Sequence, residues 1–540
     1  MKRDSGVPDP QAQSVQAQYE SWPYPRVPLL MQVRREDLWQ LNWEWMQHNA
    51  RQPITTQRPR IWITGCGTFQ PYVIALANPH ADIIATDISS RSLELAQRRC
   101  RFYGLKNVSF AQVDLTAPET FPEGPFDWIE NYGVLMCLPD PKTTLAHLQQ
   151  RLAPTGLLRM MVYPHFGRRR VFQIQRMAQL LGLNLAHPAH PNLLQQILQS
   201  LPLRHPLRYA FDTYYDAQNP EGIVDAFLHA SDRGFTGLEF ARLTSESGLQ
   251  PAFFLHRPWG QPHQMMTQLD LNDVPLNLAL HYLDVWQELR SNFIVVFKQQ
   301  GLSAVTPNEF HQHPLFDYKN MHGMPFYKLR LSKHALLGTT VSSRTHADAV
   351  QLSGGDVRSL LGLSQQPSKQ VQELLRPLDG GFDGDTWHVQ SFEHTDHFGV
   401  PRLGPSSPNP FYGQLFDAWY FHQGLVSEKG WPTLEEEVER WRPHASALEH
   451  EGLPWGLTPH ATYAFHREAI QTWLKDDPVA ADVTSWAQAR LSQDEDKRAQ
   501  VQSWAGQWPG IQVTDAPEIW RELWVLLFSY EQLFLNIDQG

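Results

Sequence analysis

The sequence predicts an α/β protein with a doubly wound parallel sheet, and two observations carry that prediction. The first is the turn Gly65-Cys66-Gly67, which directly follows the apolar run Arg60-Ile61-Trp62-Ile63-Thr64. The second is Asp87, which ends the next apolar run. Glycine permits a tight strand-to-helix turn and close approach of the backbone to a ligand, and an acid at the tip of the second strand can accept hydrogen bonds from both ribose hydroxyls. Together they indicate a nucleoside site.

Strands and helices then alternate along the first third of the chain. Short apolar runs mark strands, and apolar residues three and four apart mark helices. We predict further strands at 81–87, 108–113, 126–130 and 156–163, and helices at 91–100 and around 145–152. This alternation is typical of a parallel sheet covered by helices.

Two more strands are predicted further along the chain. Residues 235–248 are predicted to form a helix that stops at a glycine, and they lead into a sixth strand at 251–255. Residues 292–298 are predicted to be the seventh strand. The stretch 166–232 is then a largely helical insertion, in the position where a substrate cap would lie over the carboxyl ends of the strands.

The glycine turn does not favour a dinucleotide. A dinucleotide fingerprint needs a third glycine at the start of the helix, and the sequence there is Gly67-Thr68-Phe69-Gln70-Pro71. A pyrophosphate needs free N–H groups at that helix start, and proline has none. The residues therefore favour a cofactor without phosphates over a dehydrogenase-type nucleotide.

Six segments of this region resemble the class I S-adenosylmethionine-dependent methyltransferases. In chain order they are Thr64-Gly65-Cys66-Gly67-Thr68, Thr86-Asp87-Ile88-Ser89, Val113-Asp114-Leu115, Phe126-Asp127-Trp128-Ile129, the run 133–141 (GVLMCLPDP) and Leu152-Ala153-Pro154-Thr155-Gly156. The resemblance implies a Rossmann-like methyltransferase sheet, S-adenosylmethionine as cofactor and methyl transfer as the activity.

Three other segments resemble a bacterial subgroup of these enzymes. They are the N-terminal box Gln18-Tyr19-Glu20-Ser21-Trp22-Pro23-Tyr24-Pro25, the run 163–168 (YPHFGR) and Asp225-Ala226-Phe227-Leu228-His229. The resemblance covers roughly residues 13 to 300. It does not identify the methyl acceptor, which we expect to be a small molecule or a protein.

The chain departs from the family pattern at two positions. The family usually has an acid at the position of Thr64 and a third glycine at the position of Phe69. The acid commonly helps to hold the methionine amino group, and the subgroup often has an uncharged residue there. Phe69 places a large side chain close to the expected methionine tail, so the alternative is a catalytically silent binding or regulatory protein.

The resemblance also implies which residues bind the cofactor. Asp87 would hold the ribose, Asp114 would contact the adenine amino group, and Asn131 would border the methyl group. The expected cofactor-binding residues are Gly65, Cys66, Gly67, Asp87, Ile88, Asp114, Leu115 and Asn131. The alternative for Asp114 is a turn residue at a strand end.

No residue can be assigned as a catalytic base from the sequence. The candidates on the substrate side are Tyr19, Tyr24, Tyr132, Tyr163, His165 and His229. Aromatic residues of a mobile N-terminal lid could close over the methyl donor. The alternative is that Trp22 and Tyr24 fix the N-terminus to the sheet by packing, and that His229 is structural.

Composition sets limits on compartment and partners. The net charge of −11 argues against broad nucleic-acid binding. The cluster Arg168-Arg169-Arg170 could form a local basic patch, but we expect a solvated helix start. Cys66, Cys100 and Cys137 form no CxxC pair, which fits a reducing compartment. We see no signal peptide and no apolar run long enough for a membrane span, so we expect a cytoplasmic enzyme without membrane partners. The sequence leaves the oligomeric state open.

We predict four regions along the 540 residues. They are an N-terminal lid segment at 1–50, the methyltransferase domain at 51–300, a small α+β module at 301–398 for which a winged-helix type is one alternative, and an α-helical region at 399–540. The triplet His394-Thr395-Asp396 has the form of part of an iron site, but such a triplet arises easily by chance among 24 histidines, and we predict no metal.

Overall fold

The computed structural model describes most of the first half of the chain and a C-terminal helical segment. The residues described are 9–27, 29, 31–32, 41–50, 52–53, 55–165, 167–203, 205–214, 217, 219–254, 292–302, 327–328, 338–341, 350–353 and 494–534. Most of the predicted module at 301–398, the stretch 399–493 and the triplet His394-Thr395-Asp396 lie outside the described residues.

A seven-stranded sheet forms the framework. Its strands are β1 (Arg60–Thr64), β2 (Asp82–Asp87), β3 (Val108–Gln112), β4 (Phe126–Tyr132), β5 (Leu152–Val162), β6 (Leu249–Phe254) and β7 (Phe293–Gln299). They lie in the order β3-β2-β1-β4-β5-β7-β6. The first five are parallel, and β7 runs antiparallel to both of its neighbours. The predicted α/β fold with a Rossmann-like sheet is confirmed.

Strand β1 lies between β2 and β4 and is buried on both faces. Its residues 61–64 are 0 % exposed. Parallel strands that are covered by helices on both faces are apolar almost throughout, which explains the continuous apolar run in the sequence. Thr64 at the end of β1 lies opposite Thr86 of β2 and Asn131 of β4. The carboxyl ends of three strands therefore meet at one edge of the sheet.

Helices connect and cover the strands. They are α1 (Pro10–Ser21), α2 (Trp43–Asn49), α3 (Gln70–Ala77), α4 (Ser90–Phe102), α5 (Pro141–Gln150), α6 (Arg169–Leu180), α7 (His190–Ser200), α8 (Pro206–Thr213), α9 (Pro220–Phe227), α10 (Gly237–Glu246), α11 (Asp494–Ala505) and α12 (Pro517–Phe534). Helix α4 begins after Ser89, whose hydroxyl accepts the N–H of Ser92, and α10 begins with a capping box formed by Thr236 and Glu239. Both N-caps satisfy N–H groups that a helix start leaves unpaired.

Two short antiparallel strand pairs accompany the sheet. Met31–Gln32 pairs with Tyr327–Lys328, and Gly338–Val341 pairs with Val350–Ser353.

The described residues fall into two compact units. The first holds those of 1–163, 230–257 and 292–397, and it contains the seven-stranded sheet. The second holds those of 164–229 and 398–540, with α6 to α9 and the C-terminal helices α11 and α12. The predicted helical insertion is thus confirmed. The contacts place it in one unit with α11 and α12, which is a different grouping from the division predicted at 51–300 and 399–540.

Within the second unit, α12 packs against α6. Arg176 donates from Nε and Nη2 to the carboxylate of Glu522 at 2.9–3.1 Å. The two side chains are only 19 % and 5 % exposed. Two hydrogen bonds from a planar guanidinium to a carboxylate fix the geometry of both side chains. The helical insertion and the C-terminal helices therefore share a core, although they lie far apart in the sequence.

The arginine cluster at the start of α6 is not solvated as predicted. Arg168 and Arg169 are 6 % and 7 % exposed, so the prediction of a solvated helix start is wrong for these two residues. The guanidinium of Arg168 lies 5.7 Å from the ring centroid of Tyr214 and donates to its hydroxyl. A flat, weakly hydrated cation can be buried in this way against an aromatic ring.

Among the described residues there is no helix of the length and apolar character that crossing a membrane requires. The same part of the chain contains no group of three or more histidine, cysteine or acidic side chains that could hold a metal ion.

Candidate functional site

The predicted glycine turn lies at the carboxyl end of β1. Gly65 and Gly67 have φ angles of 66° and 54°, in the left-handed region that other residues rarely adopt. A Cβ atom on Gly65 would lie 2.4 Å from Cγ2 of Val134, and one on Gly67 would lie 2.8 Å from the carbonyl oxygen of Tyr24. Both glycines are therefore required by the backbone and by close neighbours, one after β4 and one in the N-terminal segment.

The backbone N–H groups of this turn are already engaged. The N–H of Cys66 donates to Thr86 O (2.8 Å), that of Gly67 to Asp87 Oδ2 (2.8 Å) and that of Thr68 to Tyr24 O (3.2 Å). A phosphate-binding turn presents such groups to its ligand. Pro71, in the first turn of α3, has no N–H to offer. The N–H groups of residues 66–68 are thus not offered to a phosphate, which agrees with the preference for a cofactor without phosphates that the sequence indicates.

Asp87 occupies the tip of β2 and is held from two sides. Its Oδ2 accepts the N–H of Gly67 at 2.8 Å, and its Oδ1 accepts the N–H of Ser89 at 2.9 Å. The residue is 7 % exposed. Burial raises the pKa of Asp87 to about 6 against the opposing effect of the Ser89 and Gly67 N–H groups, and the charge of Glu20 adds to the rise. The carboxylate is thus fixed in orientation, with lone pairs left for further donors.

Thr64 and Asn131 form a short hydrogen-bonded chain between β1 and β4. The hydroxyl of Thr64 donates to the carbonyl oxygen of Glu130, and Nδ2 of Asn131 donates to that hydroxyl, both at 2.9 Å. Thr64 and Asn131 are fully buried. Oδ1 of Asn131 is buried and has no hydrogen-bond partner.

The remaining predicted cofactor residues lie at the ends of β2 and β3. Asp114 forms a turn, because its Oδ1 accepts both the N–H and the hydroxyl of Thr116 at 2.8 Å. This is the turn role that the sequence left open as an alternative, and adenine binding by Asp114 stays a prediction. Ile88 is partly buried and Leu115 is buried.

Cys66 is buried in the glycine turn. Burial raises the pKa of the Cys66 thiol well above its ordinary value, and the negative charge of Asp87 acts in the same direction. The thiolate is the nucleophilic form of cysteine. Cys66 therefore serves the turn as a small apolar side chain.

Phe69 belongs to a packed cluster. It is 9 % exposed and lies in a cluster with Tyr72, Val73, Ala77 and Cys100. Its ring centroid is 5.6 Å from that of Tyr72, and the guanidinium of Arg99 lies 5.1 Å from the Phe69 centroid. Packing between α3 and α4 thus accounts for the large side chain at this position.

The N-terminal segment is anchored along its length. Gln11 of α1 donates to Cys137 O (2.9 Å), and Glu20 accepts the N–H groups of Ser90 and Arg91 at the start of α4. An acid at a helix N-terminus is stabilised by the helix dipole. These bonds attach α1 to the residues after β4 and to the start of α4, and the lid role stays a prediction.

Further bonds hold the continuation of the segment. Arg99 of α4 donates to Val27 O (2.7 Å) and Leu29 O (3.1 Å), and the hydroxyl of Thr68 donates to Pro25 O (2.5 Å). Residues 10–27 and 29 therefore contact the segment after β4, helix α4 and the glycine turn.

The substrate-side candidates do not lie together in one unit. Tyr19, Tyr24, Tyr132 and Tyr163 lie in the unit with the sheet, and His165 and His229 lie in the second unit. Their roles stay predictions.

Sequence reasoning missed a buried ion pair beside the site. Glu130 of β4 and Arg159 of β5 are 0 % and 4 % exposed and form an ion pair. Trp128 Nε1 also donates to Glu130 at 3.2 Å, and the guanidinium of Arg159 lies 4.9 Å from the ring centroid of Tyr132. Burial raises the pKa of Glu130, and Arg159 acts against that rise. The sequence contained one sign of this ion pair, a charged residue inside an otherwise apolar strand. Such residues are rarely buried unless they are paired.

Residues 64–179 match the model of a family described as a methyltransferase domain. This match, with the sheet order and the glycine turn, defines the class: the chain contains a methyltransferase domain. It belongs to the same family as the uncharacterized protein syc1184_c from Synechococcus sp., to which it is 31 % identical over 297 residues. Those residues cover 53 % of this chain and 69 % of the relative.

Two solved structures of PKMT2 from Rickettsia typhi, one in complex with AdoHcy, are more distantly similar. The identities are 13 % and 15 %, and the TM-scores are 0.40 and 0.41. The matches cover 52 % and 58 % of this chain, and this chain spans only 55 % and 64 % of those proteins. A similarity this weak bears on neither acceptor nor mechanism.

Proposed function

We propose that this chain binds S-adenosylmethionine at the carboxyl ends of β1, β2 and β4 and transfers its methyl group to a small molecule or a protein side chain. The observation that carries the proposal is the Asp87 carboxylate, which Gly67 and Ser89 hold through their N–H groups beside the glycine turn. Each carboxylate oxygen can accept a further hydrogen bond. The ribose hydroxyls of the cofactor would bind to these preoriented atoms.

The turn residues fit this cofactor better than a dinucleotide. The N–H groups of residues 66–68 are engaged within the protein, so they are not offered to a pyrophosphate. The methionine part of the cofactor carries no phosphate, and Gly65 and Gly67 allow the backbone to approach it closely.

For methyl transfer from this cofactor, the protein would mainly position the donor and the acceptor and exclude water. When bound, the cofactor supplies a methyl group that is already electrophilic. Asp87 would fix the ribose, and Asn131 would border the methyl group at the end of β4. Holding donor and acceptor in line removes most of the entropic cost of their encounter. A base is required only where the acceptor must lose a proton early, and we assign none.

A catalytically silent protein is the alternative that the sequence raised through Phe69. The packing of Phe69 with Tyr72 and Arg99 removes that argument, because the side chain has a structural reason to be large. We therefore favour the active enzyme.

Ligand titration of the full-length protein tests the proposal. We expect S-adenosylmethionine and S-adenosylhomocysteine to bind in calorimetry and NAD not to bind. Binding of NAD alone would support a dehydrogenase-type site, and binding of none of the three would contradict the proposal. Incubation of cell lysate with the protein and labelled S-adenosylmethionine, followed by mass spectrometry, would then identify the acceptor.

Cofactor affinity should depend on pH through Asp87. Its raised pKa of about 6 means that the unliganded site is partly protonated below neutral pH. Ribose hydroxyls bind better to the ionised carboxylate, so affinity for S-adenosylhomocysteine should fall about tenfold between about pH 8 and pH 5. Calorimetry across this range measures the effect, and a flat profile would contradict the assignment.

The stability of the unliganded protein should respond in the opposite sense. Because folding raises the pKa of Asp87, the contribution of this group to stability is present at low pH and is lost as the pH rises through about 6. Replacing Asp87 with asparagine should remove the pH dependence of S-adenosylhomocysteine affinity. It should also remove the part of the pH dependence of the unfolding free energy that Asp87 contributes.

A further inference from the structure

The Glu130–Arg159 ion pair lies inside the sheet, close to its carboxyl edge. The two residues are directly opposite each other in β4 and β5, and both are buried. Oε1 of Glu130 accepts from Nη1 of Arg159, and Oε2 accepts from Nε1 of Trp128 at 3.2 Å. Gln70 of α3 donates to Oε1 from Nε2 at 3.4 Å. The carboxylate is thus held from three sides, and it fixes the guanidinium in turn.

Stability alone accounts poorly for this pair. Two charges lose their hydration when they are buried, and an apolar pair of similar volume is often as stable or more stable. Nε of Arg159 is also buried and has no hydrogen-bond partner among the described residues, which adds to the cost. The pair therefore needs a reason other than stability, and its remaining contact supplies one.

That contact is with Tyr132, the last residue of β4. Cζ of Arg159 lies 4.9 Å from the centroid of the tyrosine ring. Side chains alternate along a strand, so Glu130 and Tyr132 lie on one face of β4 and Asn131 lies on the other. A planar, permanently charged group stacks well on an aromatic ring. Arg159 therefore connects a fixed carboxylate inside the sheet to an aromatic side chain at its edge.

Tyr132 lies where the proposed methyl-transfer site is located. It directly follows Asn131, which lies opposite Thr64 at the end of β1, and it directly precedes Gly133, which has a φ angle of 77°. The tyrosine is only partly buried. Ligands of parallel sheets bind at this edge, so the ring can contact a bound molecule, whereas the two charged side chains behind it are enclosed.

A similar contact at the other end of the same strand differs in its anchor. Cζ of Arg60, at the start of β1, lies 5.0 Å from the ring centroid of Phe126, at the start of β4. The guanidinium of Arg60 donates to the carbonyl oxygens of Pro125 and Glu123 at the protein surface. This contact lies at the amino edge and is not held by a buried acid. It offers a matched control for the Arg159 contact.

We propose that Glu130 and Arg159 are positioning residues, which hold the ring of Tyr132 in one orientation at the border of the methyl-transfer site. The pair acts through Tyr132 and touches neither cofactor nor acceptor. Methyl transfer needs donor and acceptor in line, and a fixed ring at the end of β4 restricts the directions from which the acceptor approaches. The inference rests on the proposed function. It predicts that loss of the pair lowers the transfer rate and leaves cofactor affinity unchanged.

Fluorine NMR of the full-length protein labelled with 3-fluorotyrosine tests where Tyr132 lies. The chain has 16 tyrosines, and the signal that is missing in Tyr132→Phe identifies this one. Saturating S-adenosylhomocysteine should shift the Tyr132 signal of the wild-type protein, because the ring borders the ligand. Calorimetry on the same sample measures binding independently of the signal.

The double variant Glu130→Gln/Arg159→Met tests the positioning role. It removes both charges and keeps an oxygen for the N–H of Trp128, so we expect it to fold. Its affinity for S-adenosylhomocysteine should stay within about threefold of wild type, and its Tyr132 signal should leave the wild-type position. The initial rate of labelled methyl transfer from saturating S-adenosylmethionine into cell lysate should fall about tenfold or more, since the acceptor is less well aligned.

Two single variants are the controls. Arg159→Lys keeps the ion pair but replaces the planar guanidinium with a compact ammonium group, so its Tyr132 signal and transfer rate should lie between those of wild type and the double variant. Arg60→Met removes the corresponding contact at the amino edge, and it should change neither the signal nor the rate.

The outcomes are distinct. The inference is wrong if S-adenosylhomocysteine binds in calorimetry without moving the Tyr132 signal, or if that signal is unchanged in the double variant. An equal loss of cofactor affinity and transfer rate would show that the pair only supports the sheet, which also overturns the inference. Should the double variant not fold, an unchanged Tyr132 signal in Arg159→Lys has the same meaning. A wild-type protein that binds neither S-adenosylmethionine nor S-adenosylhomocysteine overturns the proposed function instead.

Discussion

Asp87→Ala should weaken binding of S-adenosylhomocysteine by about 1.5–3 kcal/mol, or roughly 10- to 150-fold, the range for hydrogen bonds to a charged group. The reason is the position of the carboxylate, which is 7 % exposed and is already oriented by Gly67 and Ser89. Alanine removes the acceptor for the ribose hydroxyls and leaves these two N–H groups without their partner. Calorimetry on the folded variant measures the effect.

A matched control lies at the other end of the same strand. Asp82 begins β2 and is exposed, so Asp82→Ala changes the same residue type without touching the carboxyl edge. It should leave the affinity unchanged. An Asp87→Ala variant that unfolds as wild type does and binds S-adenosylhomocysteine with unchanged affinity would remove Asp87 from the site.

Phe69→Ala should lower the free energy of unfolding by about 3–5 kcal/mol, the usual cost of removing a buried phenylalanine ring. The ring is 9 % exposed and packs against Tyr72. Its loss also deprives the guanidinium of Arg99 of an aromatic partner. Denaturant unfolding measures the change, and Phe69→Leu, which keeps most of the apolar volume, should lose clearly less.

The same variants decide what Phe69 does to the cofactor. Under the packing interpretation, Phe69→Leu should bind S-adenosylhomocysteine as wild type does. If Phe69→Ala were instead as stable as wild type and bound the ligand much more tightly, the ring would be filling the site. The silent-protein alternative would then be correct.

Much of the site could be predicted because its parts obey local rules. A glycine turn after an apolar strand and an acid at the end of the next strand are short-range patterns, and both lie where they were expected. Asp87 and the turn then meet because parallel neighbouring strands end at the same edge of a sheet. Because β1 and β2 pair in parallel register, Asp87 and the turn lie close together without depending on contacts from distant parts of the sequence.

The contacts of the N-terminal segment could not be predicted from local sequence patterns. Its box motif was visible in the sequence, yet the partner of Gln18 was not. Oε1 of Gln18 accepts the N–H of Ala230, which is distant in sequence. Gly67 likewise has a second reason to be glycine, because the carbonyl oxygen of Tyr24 approaches it closely.

The sequence by itself determined the α/β class, the seven strands and the glycine–acid pair, because apolar periodicity and the left-handed glycine conformation are properties of short stretches of chain. Only the tertiary structure decided that Phe69 packs with Arg99, that Arg168 and Arg169 are buried, and that the helical insertion shares a core with α12. Each of these depends on a partner from another element, and burial of a charged or bulky side chain is favourable only when that partner is in place.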